Sequence, residues 1–421
     1  MTPIRVLLPV LLLPALLLAL LLPSVLAAPP GKGRPAPPRK PRYLMAHYMP
    51  WFGAKPFSQA WGWHWTMNHY HPDTIVGGRR EAASHFYPLM GLYDSGDPDA
   101  LDCHVLLMKL AGMDGVLIDW YGTDDYLDYG LNQRNTLALV RAVQKAGLRY
   151  AVVYEDQTVP KLIAGHVIPE ADAVAHGRRL MAWLQAHWFS DPAYLTQDGR
   201  PVFLVFGSGY YTSDQWTQIF VGLPRPPLFF TEDGRRAPAD GAFAWPQPGG
   251  GTEASVRALD RFYTLAPSWP QSLPAAWPRF DDIYAQADVH PSWGHIDDRE
   301  GRTYAETLDR ALKSDAPIIQ LVTWNDWGEG TQIEPSVEFG CRDLEATQRA
   351  RRRSFDPAFP CTPQDLRLPL ALYALQKKDG DDPKRRAKLD AISRLLFAGK
   401  TKQARALLAG MDPALKTAPH P

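Results

Sequence analysis

The sequence predicts an α/β fold, a (β/α)8 barrel with a long first βα loop and a C-terminal helical extension. Eight short β-branched or aromatic runs recur along the chain, with amphipathic stretches between most of them, an order that requires parallel strands joined by helical crossovers. The 421 residues suit one barrel of about 250 residues plus appendages. No Gly-x-Gly-x-x-Gly follows the first run, which disfavours the alternative, an open dinucleotide-binding sheet.

Taken in order, the chain opens with Arg5 and an almost unbroken Leu, Ala, Val and Pro stretch ending at Val25-Leu26-Ala27-Ala28. This reads as a signal peptide over residues 1–27, cut near Ala27, and therefore as a secreted or periplasmic protein. Pro9, Pro14 and Pro23 weaken the alternative of an uncleaved membrane anchor. Residues 28–42 form a Pro-rich, basic linker. The expected catalytic barrel covers 43–340, with strands at Tyr43 to Tyr48, Gly115 to Trp120, Tyr150 to Glu155, Val202 to Phe206, Pro227 to Thr231, Ala242 to Trp245, Tyr284 to His290 and Ile318 to Trp324. Helices are expected at Asp99 to Leu110, Asn132 to Ala146, Asp172 to His187, Ser213 to Phe220, Glu253 to Tyr263 and Thr303 to Lys313. The connection from Pro50 to Pro98 far exceeds a median loop of about four to six residues and reads as a cover over the barrel mouth. Residues 341–421 read as a loop, in which Cys341 and Cys361 pair as a disulfide, and as helices at Leu366 to Lys377 and Leu389 to Ala409 packed on the barrel. Cys103 is expected to be buried on a helix.

Composition narrows the function. Lys+Arg and Asp+Glu are both 45, which leaves no net field to gather nucleic acid, and no stable membrane partner is expected once the signal is cut. The 14 Trp and 17 Tyr point to contact with carbohydrate. Strand carboxyl ends carry barrel chemistry. They present His47 and Tyr48, Asp119 and Trp120, Tyr154 and Glu155, His290 and Trp293, and finally Trp324-Asn325-Asp326-Trp327-Gly328-Glu329. Two carboxyls three residues apart beside indoles suit acid/base work on a glycosidic bond, because an apolar neighbour raises a carboxyl's pKa toward neutrality. The bland reading of Asp-x-x-Glu is an Asx-turn capping the strand, with Glu329 in solvent. The first loop adds Trp51, Trp61, Trp63, Trp65 and several histidines, read as an aromatic wall with histidine donors; a metal site built on His64, His69, His71 and His85 is the alternative.

The segment Trp324 to Thr331 with Ile333-Glu334-Pro335 resembles the catalytic segment of glycoside hydrolase families 71 and 99. Met45 to Trp51, Trp61 to Trp65, Asp114 to Tyr121 and Tyr154-Glu155 are similar to strand ends of the same group. The resemblance implies a secreted hydrolase of α-linked glycans, of α-mannan or α-1,3-glucan type, acting without metal or other cofactor on an oligo- or polysaccharide. Glu329 is then the general acid and Asp326 its partner, serving either as base to a water in an inverting reaction or as base to the sugar's 2-hydroxyl in a retaining one. His47, Tyr48, Trp51, Trp63, His64, Asp119, Trp120, Tyr154, Glu155, His290, Trp293, Trp324, Asn325 and Trp327 are the expected substrate contacts. Family 99 carries Glu where this chain has Asp326, whereas family 71 carries Asp. Two readings from other classes remain open: a non-catalytic glycan-binding barrel, and a metal-dependent hydrolase using the first loop.

Overall fold

The structure is a computed structural model that describes residues 42–207 and 209–411. The expected signal peptide and nearly all of the linker lie outside the described residues. Eight parallel strands close on themselves: β1 (Tyr43–Tyr48), β2 (Gly115–Trp120), β3 (Arg149–Tyr154), β4 (Arg200–Val205), β5 (Leu228–Glu232), β6 (Gly241–Phe243), β7 (Gln271–Leu273 continued by Ala275–Ala276) and β8 (Ile318–Leu321). Each pairs with the next, and β8 returns to β1 with Tyr43 opposite Ile318 and Ala46 opposite Leu321. Strand β7 completes the ring because its first half pairs with β6 and its second with β8.

The seventh strand corrects the sequence reading, since Tyr284 to His290 is a run of turns and not a strand. Its true position, Gln271 to Ala276, contains Pro274 and alanines, which carry little β signal. Pro274 lacks an N–H, yet its carbonyl accepts from the Gln320 N–H at 3.0 Å, so the ladder to β8 survives the interruption.

Helices α1 (Pro98–Ala111), α2 (Tyr129–Ala146), α3 (Ala173–His187), α4 (Ser213–Phe220), α5 (Gly251–Leu265), α6 (Arg302–Lys313) and α7 (Arg342–Ser354) are the main crossover and closing helices. Their ends follow local chemistry. Asp97 accepts from the Asp99 N–H ahead of Pro98, and α1 stops at Gly112 with φ 85°. Thr212 and Gln215 form a reciprocal capping box on α4. Residues 233–240 join β5 to β6 without a helix.

Helix α7 occupies the stretch expected to be a loop and packs against α1 and α6, the place of the eighth barrel helix. This overturns the Cys341–Cys361 disulfide: both thiols are free. Cys341 caps the start of α7, whereas the backbone at Cys361 and Thr362 lies beside Arg352 and Gln348, farther along that helix. Cys103 is buried, as expected.

The C-terminal extension consists of α8 (Arg367–Asp379), α9 (Pro383–Phe397) and α10 (Thr401–Met411). It covers the outer face of α1, where Leu106 meets Leu368, Leu372, Leu389, Ile392, Leu396 and Leu408. No described helix is long and apolar enough to cross a membrane.

Candidate active site

The carboxyl ends of the strands open into a cleft of about 770 Å³. Its centre is the connection after β8, folded back on itself. The Thr323 N–H donates to Thr331 O at 3.1 Å, Ile333 N–H to Thr323 O at 2.9 Å and Glu334 N–H to Trp324 O at 2.9 Å. Within this loop the Asp326 N–H donates to Thr323 Oγ1 at 2.7 Å, and Asp326 Oδ1 accepts from the Glu329 N–H at 3.1 Å. An Asx-turn therefore exists, and it serves to aim both carboxyls into the cleft. The turn needs its glycine: Gly330 has φ 69°, and a Cβ there would stand 2.8 Å from the Asp281 carbonyl oxygen. That close approach is a two-bond seam, in which the Asp281 and Ile283 N–H groups donate to Glu329 O at 2.8 Å and Gly328 O at 3.0 Å.

Behind the turn lies a buried polar network. Glu334 Oε2 accepts from Tyr93 Oη at 2.8 Å and from Trp327 Nε1 at 3.1 Å, while Oε1 meets His104 Nε2 at 3.1 Å. His104 Nδ1 meets Tyr48 Oη at 2.8 Å. Asn325 spends its amide on Met49, accepting from the N–H at 2.8 Å and donating to the carbonyl at 2.9 Å, and also donates to Tyr93 Oη at 3.0 Å. This network pins the turn to the end of β1. The alignment of Tyr93 and His104 with Glu334 was not readable from the sequence, because the three come from the first loop, α1 and the exit of the catalytic loop.

Of the expected contacts, the cleft brings together Trp51, Trp63, His64, Asp119, Glu155, His290, Trp293, Asp326 and Glu329. It does not include Tyr48, Trp324, Asn325 or Trp327, which belong to the layer beneath the turn, nor Trp120 and Tyr154. Trp120 packs on Trp183 and Trp188. Period-two alternation is the signal that would have sorted these: on β2, Asp119 points inward and Trp120 outward, so the next inward residue is Tyr121. Tyr121, read in the sequence as a rim residue after Asp119 and Trp120 but not as a substrate contact, lines the cleft, as do Glu232, Trp245 and Tyr284, which were missed. His47 sits just below, its Nδ1 at 3.4 Å from Gln320 Oε1 and its Nε2 at 3.8 Å from Asp119 Oδ2. Because Gln320 Nε2 donates to Ala244 O, its Oε1 must accept from His47 Nδ1. Burial lowers the His47 pKa to about 4, so the ring is neutral.

The floor concentrates acids. Burial pushes Asp119 up to about 8, and Glu155 well above the usual carboxyl range through burial and the charge of Asp119, so the pair holds protons at neutral pH. Glu155 Oε2 also accepts from Gln157 Nε2 at 2.7 Å. Burial and the neighbouring Asp233 raise Glu232 to about 7. Asp326 is raised to about 7 by burial, against the pull of its hydrogen bond from Glu329 N–H. Glu329 is raised well above its ordinary value by burial first, then by the charges of Asp326, Asp282, Glu155 and Glu232. Both carboxyls of the turn are thus held above the ordinary carboxyl range and titrate as a pair. Trp51 stacks on His64 at 4.0 Å between ring centres, and His64 Nε2 meets Asp128 Oδ2 at 3.2 Å.

Among the described residues, no group of three or more His, Cys, Asp or Glu side chains is placed to hold a metal ion. His69 faces Asp288, and His85 and His295 flank Asp281.

No protein-family model matches the chain. It is 24% identical over 335 residues to a glycoprotein endo-alpha-1,2-mannosidase-like protein of Homo sapiens, covering 70% of this chain and 68% of that one. To a glycoprotein endo-alpha-1,2-mannosidase of Rattus norvegicus it is 22% identical over 330 residues, covering 70% of this chain and 68% of the relative. Among solved structures, a GH99 endo-alpha-mannosidase from Bacteroides thetaiotaomicron in complex with bis-tris-propane superposes with a TM-score of 0.57 at 19% identity, over 76% of this chain and 99% of that chain. The resemblance carried by the strand-end motifs is thereby borne out on the family 99 side.

Proposed function

We propose that this family 99-like barrel is an endo-acting glycoside hydrolase of α-linked mannose glycans, with Glu329 as general acid and Asp326 as base. The reading rests on one observation: two carboxyls in a single turn at the cleft, held in unlike electrostatic surroundings. Burial raises both groups, and the Asp326 charge raises Glu329 further, the bias that a general acid beside a base requires. The α-mannose substrate class is carried by what the relatives are named for.

In the proposed reaction Asp326 takes a proton from a water whose oxygen attacks the anomeric carbon. The glycosidic C–O bond breaks, and Glu329 gives its proton to the leaving oxygen. Asp326 then releases its proton to solvent and Glu329 regains one. An Asp carboxylate sits roughly 1.5 Å farther back than a Glu would, which favours room for the water and hence inversion. Proton NMR of the first product from an α-mannan oligosaccharide tests this. Inverted anomer is expected; retained anomer assigns Asp326 to the sugar's 2-hydroxyl instead, and no cleavage of any α-mannoside removes the reading.

The chain is further proposed to be exported with residues 1–27 removed. Amino-terminal sequencing of secreted protein should begin near Ala28, and an intact Met1 would contradict it.

A further inference from the structure

We propose that Trp293, backed by His290 and Tyr284, is the platform for a sugar on the leaving-group side of the cleaved bond, so that efficient cleavage requires a glycan that continues beyond that bond. The proposal deepens the assignment of Glu329 as general acid and rests on it. A general acid must stand beside the leaving oxygen, so the side of the cleft that Glu329 adjoins is the leaving-group side. Tyr284 Oη lies 3.5 Å from Glu329 Oε1. From Tyr284 the rings run outward: to His290 at 4.4 Å between centres, and from His290 to Trp293 at 4.6 Å.

Trp293 stands apart from the other tryptophans. Of the 14 in the chain it is the one in the exposed class, with 58% of its surface open, while it also lines the cleft. An indole left in water at a cleft rim costs hydrophobic free energy unless something apolar covers it, and the C–H face of a pyranose is a flat apolar partner. Its setting is built. The buried Asp282 carboxylate accepts from the Trp293 N–H at 2.8 Å, from Ser292 Oγ at 3.0 Å and from the Tyr284 N–H at 3.3 Å, so one side chain fixes both ends of the ladder. The segment is in turn stitched to Gly328 and Glu329 by the Asp281 and Ile283 N–H groups. On its far side a Cβ at Gly294 would stand 2.4 Å from Pro248 O, so the chain after Trp293 lies against the loop following β6. The ladder is therefore held in register with the acid. A sugar stacked on Trp293 would place the linkage at Glu329.

The test compares wild type, Trp293→Ala and Trp293→Phe on two substrates. One is an α-mannan oligosaccharide with several sugars past the cleaved bond, the other an activated aryl α-mannoside with none. In Trp293→Ala the ratio of kcat/KM on the first to that on the second should fall about tenfold, carried by KM, as expected for one lost stacked ring. Trp293→Phe should restore most of the ratio. An unchanged ratio in Trp293→Ala, or an equal loss on both substrates, overturns the platform while leaving Glu329 and Asp326 as assigned. A wild-type protein that cleaves neither substrate overturns the hydrolase reading and the platform with it.

Discussion

At the scale of single residues, the acid pair is set by what surrounds it. The proposed roles require Asp326 ionised and Glu329 protonated for turnover. The rate should therefore rise as pH passes about 7, where Asp326 loses its proton, and fall at higher pH as Glu329 ionises. A bell-shaped kcat/KM profile with its acid limb near 7 is expected, its two limbs belonging to the pair jointly. Glu329→Gln should lose roughly 10²- to 10⁴-fold on poor leaving groups and less on activated aryl glycosides, whereas Asp326→Asn should fail on both. A flat profile, or full activity in either variant, would count against the assignment. Asp119 makes a separate prediction about stability. Its folded pKa of about 8 stands above the ordinary 3.8, so between those values the folded protein holds a proton that the unfolded chain has lost. Stability then falls as pH rises through that window. Thermal melts from pH 5 to 8 should show a declining Tm, and Asp119→Asn should flatten the decline.

At the scale of elements, the loop after β8 is held by neighbours distant in sequence. Arg279, 2% exposed after β7, donates through Nη1 to Gln332 O at 2.8 Å and through Nη2 to Asp343 at the start of α7, with its guanidinium carbon 3.7 Å from the Phe339 ring centre. One side chain thus joins the seventh strand, the exit of the catalytic loop and the last barrel helix. Arg279→Met should cost up to about 3 to 5 kcal/mol, because it leaves the buried Asp343 carboxylate with only the Arg342 Nε contact at 3.2 Å. Chemical denaturation measures this directly. The double variant with Asp343→Asn should recover part of the loss, and no recovery would mean that the ring stacking, not the ion pair, carries the stability.

At the scale of the molecule, the C-terminal helices are the outer cover of α1. Leu106, Leu372, Leu389, Ile392 and Leu396 are each at most 2% exposed. Polar ties add to this cover: Lys109 Nζ donates to Phe397 O at 3.0 Å, and Arg386 Nη2 to Asp99 Oδ1 at 2.8 Å. A chain stopped after Asp379 would expose that seam, with about 1.5 to 3 kcal/mol at stake per fully buried side chain. It should melt at lower temperature and bind an apolar dye. The folded fraction should keep its turnover, since no residue of these helices lines the cleft. Unchanged melting would show that the extension is not part of the stabilising core.

Local patterning was enough to reveal the barrel and several of the residues at its rim. Period-two and helical patterns are local, so β1, β2 and α4 match the expected bounds, and an Asp-x-x-Glu after a buried strand announces itself. The aromatic rim of the first loop was likewise visible in Trp51, Trp63 and His64. Only the tertiary structure decided which of the two faces each strand-end residue serves. It turned Trp120, Tyr154 and Tyr48 into the helix layer and brought Tyr121, Glu232, Trp245 and Tyr284 to the cleft from the ends of four separate strands. It also decided that β7 runs through Pro274, that an Arg-rich stretch is helix α7, and that Cys341 and Cys361 are free thiols. Each depends on partners far along the chain: Pro274 is a strand because β8 lies beside it, and α7 is a helix because α1 and α6 leave it a groove. The raised pKa values of the cleft carboxyls have the same origin, since burial and crowding of charge exist only once the eight strand ends meet.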